Sequence, residues 1–133
     1  MDYGLTARQR ISPSLWFGVN YVHTERTDGH LGYNDYSRDS YGMEFKLRLG
    51  RRFRLAADAT YRVYNYTSAF AYNNPAAGRK VLKTLRSTVS ASFKIRPNLS
   101  LLGEFAYRET ASNDARIDYD QSQFLLSLQW NYN

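Results

Sequence analysis

The chain has no cysteine, which excludes disulfide bridges and metal sites built on thiolates. It also has no run of about 18 apolar residues, and with a mean hydropathy of -0.60 it offers no candidate for a transmembrane helix. Acidic residues are scarce relative to basic ones, 12 against 18, which gives a formal charge of +6 and favours an acidic partner. None of these absences excludes strands with one apolar face, because such strands give only a weak signal in averaged hydropathy.

The clearest pattern in the chain is the alternation between Tyr41 and Asn65. Odd-numbered positions there are mostly apolar and even-numbered positions mostly polar or charged, so the segment predicts a hairpin with one apolar face and one charged face. Gly50-Arg51-Arg52 predicts its tight turn, with a positive φ at Gly50. Each arm has about a dozen residues, whereas a globular strand has about five or six and a tilted strand that crosses a bilayer needs roughly nine to eleven. The length favours strands that span a membrane.

Similar alternation elsewhere predicts seven strands in one antiparallel domain over residues 1–133. The predicted strands are Tyr3–Ile11, Leu15–Thr27, Tyr41–Leu49, Phe53–Asn65, Leu85–Ile95, Leu99–Arg108 and a last segment that ends at Tyr132. Tight turns alternate with polar loops, the turns at Ser12-Pro13, Gly50 to Arg52 and Arg96 to Asn98 and the loops at Asp28–Asp39, Tyr66–Leu82 and Glu109–Asp118. Short turns on one side and longer loops on the other are typical of outer-membrane β-barrels.

Aromatic side chains are abundant, at 16% of the chain, and they lie toward both ends of the predicted apolar faces with aliphatic residues between them. Amphipathic rings favour the headgroup level of a bilayer, so this sorting predicts two aromatic girdles around a lipid-facing band. In this prediction, odd-numbered strand residues face lipid. The predicted girdle residues are Phe17, Tyr21, Tyr41, Phe53, Tyr61, Phe93, Tyr107, Trp130 and Tyr132.

The opposite face of the predicted strands is polar throughout. Its charges are Arg8, Arg10, Arg26, Glu44, Lys46, Arg48, Arg54, Asp58, Arg62, Arg86, Lys94, Glu104 and Arg108. An Arg or Lys on the lipid side would cost about 2 to 4 kcal/mol at the bilayer midplane, so this face is expected to line a lumen.

A group of basic residues lies near the tight-turn end of this polar face. In a wide barrel they predict a constriction that selects anions, formed by Arg10, Arg48, Arg54 and Lys94. The alternative is a packed lumen in which the cations pair with counter-charges, namely Glu44, Asp58 and Glu104, since a barrel of about eight strands has room only for side chains.

A soluble sandwich or lipocalin-like barrel would show the same alternation, with the apolar face buried and the charged face in water. Strand length, the two classes of connection and the sorting of aromatic residues favour the membrane interpretation. The two interpretations differ in one observable, which is the face of the sheet that is enclosed.

The segment DYDQSQFLLSLQWNY, from Asp118 to Tyr132, resembles the terminal strand of Gram-negative outer-membrane β-barrels, in particular porin-like or export-associated barrels. In that family the terminal strand alternates apolar residues, ends on an aromatic residue and is recognised by the barrel assembly machinery. The matching residues are Phe124, Leu126, Leu128, Trp130 and Tyr132. Asn133 and the lack of glycine depart from the pattern. The resemblance implies an outer-membrane location, contact with its lipids, and a whole barrel or the C-terminal portion of a larger one.

Single-chain bacterial barrels have an even number of strands, so at least one strand beyond the seven is expected, from this chain or another. The predicted function is a channel for anionic solutes or for polymer export. The alternative is a closed barrel that acts as a structural anchor or adhesion platform through its extracellular loops.

We expect no catalytic site, metal, cofactor or nucleic-acid partner. Potential acid, base or metal ligands do gather near one loop, namely His23, Asp28, His30, Asp35 and Asp39. Two histidines in a polar loop are usually solvated, and no metal-ligand spacing recurs. The cations interleave with apolar residues across all strands, whereas a nucleic-acid interface needs one exposed basic patch.

Overall fold

The computed structural model describes residues 1–28, 35–72, 76, 78–114 and 116–131. These residues form one sheet of seven antiparallel strands in which each strand pairs with the next along the chain. The strands are β1 (Asp2–Ser12), β2 (Leu15–Arg26), β3 (Tyr36–Leu49), β4 (Phe53–Phe70), β5 (Arg79–Arg96), β6 (Leu99–Ser112) and β7 (Tyr119–Trp130). The predicted number of strands and their antiparallel order are confirmed, and their lengths run from 11 to 18 residues.

The strands extend further into the predicted loops than their composition indicates. β3 begins at Tyr36, β4 continues to Phe70 and β6 continues to Ser112, so the predicted limits of all three polar loops are wrong. The reason is that ladder hydrogen bonds join backbone groups and do not require apolar side chains. Tyr36 pairs with Tyr66 and with Arg26, which keeps polar residues inside the sheet. The connections that remain are 27–35, 71–78 and 113–118.

The tight turns lie where the sequence predicts them, at the opposite end of the sheet from those loops. Gly50 has a φ of 62°, the left-handed conformation that its turn was expected to need. The amide of Arg48 donates to the carbonyl of Ser14, and the amide of Lys94 donates to that of Arg52, so each of these turns is bonded to a neighbouring strand.

The two faces of the sheet differ in exposure. Large apolar side chains stay exposed on one face, including Val89 at 44% and Leu126 at 61%, and we call this the apolar face. On the other face, the polar face, Ser40, Thr84 and Thr110 are buried. In a single layer, greater burial on one face is what a sheet curled around that face produces.

The apolar face follows odd numbers from β1 to β6 and even numbers on β7. Phe105 pairs with Phe124, and Leu101 pairs with Leu128. The prediction that odd-numbered residues share this face is therefore wrong for β7, because the parity changes across the loop 113–118.

No hydrophobic core is present in the described part of the chain, where Ala71 is the one buried apolar residue. The chain exposes 9752 Å², whereas a compact protein of 15.5 kDa is expected to expose about 7,200 Å². A soluble sandwich would bury its apolar faces against each other. The described residues do not form that second layer.

The sheet is not closed, and β1 and β7 are its two edges. Because neighbouring strands alternate in direction, an odd number of strands leaves both edge strands running the same way. Direct pairing of β1 with β7 would therefore be parallel, and antiparallel closure needs an odd number of further strands.

Candidate functional site

The polar face gathers most of the strand cations on one surface. In the observed register its cations are Arg8, Arg10, Arg26, Arg38, Lys46, Arg48, Arg54, Arg62, Lys80, Arg86, Lys94 and Arg108. The acids on the same face are Asp2, Glu44, Asp58 and Glu104. This surface has a strong excess of positive charge, and such an excess attracts anions.

Three of the four residues predicted to form the anion filter line one groove at the tight-turn end. Arg48 lies directly opposite Arg54, and Arg10 lies beside them along the groove. Arg10 also donates to the carbonyls of Ser12 (3.3 Å) and Pro13 (3.0 Å), so its guanidinium is partly used in holding the first turn. Lys94 is on the polar face but does not line this groove.

The predicted counter-charges pair with little of this basic surface. Glu44 accepts from Nε of Arg8 at 3.2 Å and lies 4.0 Å from Nζ of Lys46. Asp58 is directly opposite Glu44 across β3 and β4. Within the described residues neither Asp58 nor Glu104 forms an ion pair within 4.0 Å. Most cations of this face therefore have no acidic partner within 4.0 Å among the described residues of the open sheet.

Glycine allows the contact between Arg8 on β1 and Glu44 on β3. Gly18 lies between them on β2, and a Cβ there would come within 2.9 Å of Oε1 of Glu44. The Glu44 side chain occupies the space that a side chain at position 18 would fill, and so it can lie across β2 and contact Arg8.

Several cations of this surface lie over aromatic rings of the same face. Trp16 is contacted by both Lys46, at 4.9 Å from the ring centroid, and Arg8, at 5.7 Å. Further cation–π pairs are Arg26 with Tyr36, Arg38 with Tyr64, Lys80 with Tyr66 and Arg108 with Tyr119. A ring can hold a guanidinium in place without neutralising its charge.

Sequence reasoning missed Arg38 and Lys80, since it assigned both to loops. Nη2 of Arg38 donates to Oγ1 of Thr24 at 2.7 Å, across β2 and β3. The alternation of Tyr36, Arg38 and Ser40 continues the polar face of β3 outward and could have revealed the strand. The polarity of the intervening residues obscured this signal.

One row of cross-strand neighbours on the polar face contains three of the most buried side chains of the sheet. It runs from Ser40 on β3 through Arg62 and Thr84 to Thr110 on β6. Ser40, Thr84 and Thr110 are 7%, 8% and 4% exposed. In the next row toward the tight turns, Arg86 lies directly opposite Arg108.

The predicted girdle residues that the structure describes all lie on the apolar face. Tyr21, Tyr41 and Tyr61 are cross-strand neighbours on β2, β3 and β4, and the rings of the first two are 5.2 Å apart. Phe53 pairs with Phe93 toward the tight turns. The other described members are Phe17, Tyr107 and Trp130. Tyr132 lies outside the described residues.

The structure brings together two of the potential acid–base residues. Asp39 accepts from the hydroxyl of Tyr21 at 2.7 Å and is paired with Nδ1 of His23, also at 2.7 Å. The His23 ring stacks on Tyr3. Asp35 instead accepts from the amide of Asp28. His30 lies outside the described residues.

The His23–Asp39 pair is on the apolar face, opposite the basic surface. Within the described residues no group of three or more His, Cys, Asp or Glu is placed to hold a metal. Together with the hydroxyl of Tyr21, the pair forms a hydrogen-bonded network that satisfies polar groups on the apolar face.

The connection 113–118 is fastened to the connection 71–78 by a buried carboxylate. Asp114 is 2% exposed and accepts from Nε and Nη2 of Arg116 at 3.1 and 3.0 Å. The Arg116 guanidinium lies 3.6 Å from the ring centroid of Tyr72. The hydrogen bonds from Arg116 outweigh the desolvation of the carboxylate and lower the pKa of Asp114 to about 2.

No known family, curated protein or solved structure shows a significant match to this chain. No helix in the described ranges is long and apolar enough to span a bilayer.

Proposed function

We propose that this chain forms, or contributes to, the wall of an outer-membrane β-barrel that passes anionic solutes or an exported anionic polymer. The observation that carries the proposal is the contrast between the two faces of the sheet, with apolar side chains exposed on one and a large excess of basic over acidic residues on the other. The lipids of the outer membrane would cover the apolar face. The barrel assembly machinery would insert the chain.

The exposed area supports a nonaqueous environment. The chain exposes 9752 Å², which exceeds by roughly a third what its mass predicts for a compact protein. Water would leave Leu126, Phe124 and Trp130 in contact with solvent along β7, each more than half exposed. Lipid hydrocarbon around these side chains would remove the free-energy cost of exposing them to water. Tyr21, Tyr41 and Tyr61 are suited to the interface between that hydrocarbon and water.

The charge of the polar face supports anions as the solute. Arg48 and Arg54 face each other without a counter-charge within 4.0 Å in the described part of the chain. Like charges directly opposite each other destabilise a sheet. Such a pair is therefore expected where the charges interact with an anion that passes or binds. Basic rings in pores favour anions by the same electrostatics.

The test of the channel is ion selectivity in planar bilayers. The native protein, with any strands that complete the barrel, is expected to carry an anion-selective current. The double variant R48E/R54E should shift the preference toward cations, because it replaces two positive charges with two negative ones at one constriction. R51E/R52E is the matched control, since it makes the same change of charge in the neighbouring turn. An unchanged or equally changed selectivity in the two variants would contradict the filter.

A closed barrel that serves as an anchor or adhesion platform is the second candidate. The observation that favours it is the contact of Arg116 with Asp114 and Tyr72, which gives two long connections one shared structure. The same bilayer experiment separates the two functions, because a closed barrel gives no current at any voltage.

A further inference from the structure

We propose that the polar face also contains a discrete binding site for a phosphate or sulfate group, built on Arg86 and Arg108 between β5 and β6. The site is separate from the Arg48/Arg54 groove. It deepens the proposed function and rests on it only in that the ligand would be a group on the transported anion.

The first observation is the grouping of cations. Arg86 lies directly opposite Arg108, and Arg62 on β4 lies diagonally from Arg86, one pair further toward the loops. Asp58 is the acid diagonally placed on the other side of Arg86, but it forms no ion pair within 4.0 Å among the described residues. A tetrahedral oxyanion between opposed guanidinium groups would remove their repulsion and accept several charge-assisted hydrogen bonds.

The second observation is a pair of buried polar atoms without partners. Nε of Arg108 and Oγ1 of Thr110 are both buried and make no hydrogen bond within the described part of the chain, as is also true of Nε of Arg38 on β3. Thr110 is 4% exposed and follows Arg108 on the same face of β6. Buried polar groups in proteins are nearly always hydrogen-bonded, and a missing bond costs about 1 to 3 kcal/mol. An oxyanion would supply acceptors for such donors.

The third observation is a pocket at the same place. Its lining includes Arg86, Thr88, Arg108, Gln121 and Gln123 and no acidic residue, and Thr110 lies beside it without lining it. The glutamine amides provide further donors from β7. The Arg108 guanidinium carbon is 5.3 Å from the ring centroid of Tyr119. This cation–π contact restricts the position of the guanidinium and leaves its N–H groups available as donors. The pocket therefore has a fixed cation, neutral donors and space for a ligand.

The test is equilibrium binding of inorganic phosphate and sulfate to the purified full chain in detergent micelles. Binding is measured by calorimetry and by the change in the midpoint temperature of thermal unfolding. We expect saturable binding with one site per chain and a rise in the unfolding temperature, because a ligand that binds the folded state stabilises it. Chloride at the same ionic strength should give neither effect. R86Q/R108Q should weaken phosphate binding at least about tenfold, the loss expected for charge-assisted hydrogen bonds.

R51Q/R52Q is the matched control, since it removes two arginine charges from the turn between β3 and β4, outside both this site and the Arg48/Arg54 groove. R108K tests the buried Nε, because it keeps the positive charge and removes that donor, and it should weaken binding while leaving the far-ultraviolet spectrum of the sheet unchanged. Equal losses in the two arginine variants, or binding that simply follows ionic strength, would overturn the site. Since binding is measured without a membrane, anion current without phosphate binding removes this site alone, and binding without current removes the channel alone.

Discussion

At the scale of single residues, Asp114 shows how a loop can be held without a hydrophobic core. Its carboxylate is buried, and the hydrogen bonds of Arg116 compensate the loss of water. Arg116 in turn covers the ring of Tyr72 in the preceding long connection. The composition of segment 109–118 predicted only a polar loop, because neither the burial of Asp114 nor the contact with Tyr72 is written in local sequence.

This carboxylate predicts a pH dependence. The pKa of Asp114 falls from 3.8 to about 2 on folding, chiefly through the hydrogen bonds from Arg116. Its stabilising effect is therefore complete above about pH 4 and is lost as the pH falls from there to about 2. We expect pepsin to cut the connection 113–118 faster as the pH is lowered across this interval.

The D114N variant should lose most of that pH dependence, because it cannot titrate. D120N, an exposed residue of β7, corrects for the pH dependence of pepsin itself. If D114N and D120N showed the same acceleration, the buried ion pair would not be what closes the loop.

At the scale of elements, each strand presents two environments to its neighbouring side chains. On β5, Val89 is exposed on the apolar face, whereas Ser90 belongs to the polar face. Alternation predicted this division correctly along the strands, because successive side chains of any strand point to opposite faces. It could not predict where strands stop, as β3 and β4 show at Tyr36 and Phe70.

Replacing these two neighbours with arginine tests what covers each face. We expect V89R to lower the free energy of unfolding in lipid vesicles by about 2 to 4 kcal/mol if Val89 is near the midplane, because hydrocarbon cannot solvate the charge. S90R should change it much less, since the polar face already holds cations. Urea titration of vesicle-inserted protein gives both values. If V89R were tolerated as well as S90R, the apolar face would be in contact with water.

At the scale of the whole molecule, the decisive feature is the open sheet. β1 and β7 both leave backbone groups of one edge without a partner strand in the described residues. Such edges promote pairing with other strands. Because the two edge strands run in the same direction, copies related by rotation around a common axis could join β7 to β1 only as a parallel pair. One additional strand would allow antiparallel pairing throughout.

We expect the isolated chain to associate through its edges when no further strand is supplied. The absence of cysteine allows a clean test with the double variant A7C/F124C, which puts one thiol near the middle of each edge on the apolar face. Oxidation in detergent should give disulfide-linked species of two or more chains by mass. A7C and F124C alone are the controls. A disulfide formed only within one chain would instead indicate direct closure of β1 on β7.

The sequence by itself determined the strand number, the tight turns and the two faces, because alternation and turn chemistry act over a few residues. It also placed Arg48 and Arg54 on the same face. Only the tertiary structure decided which charges oppose each other, how far the strands extend and which side chains of the polar face are buried. Those properties depend on the register between segments that are far apart in the chain. Arg86 and Arg108, for example, become neighbours only when β5 and β6 pair.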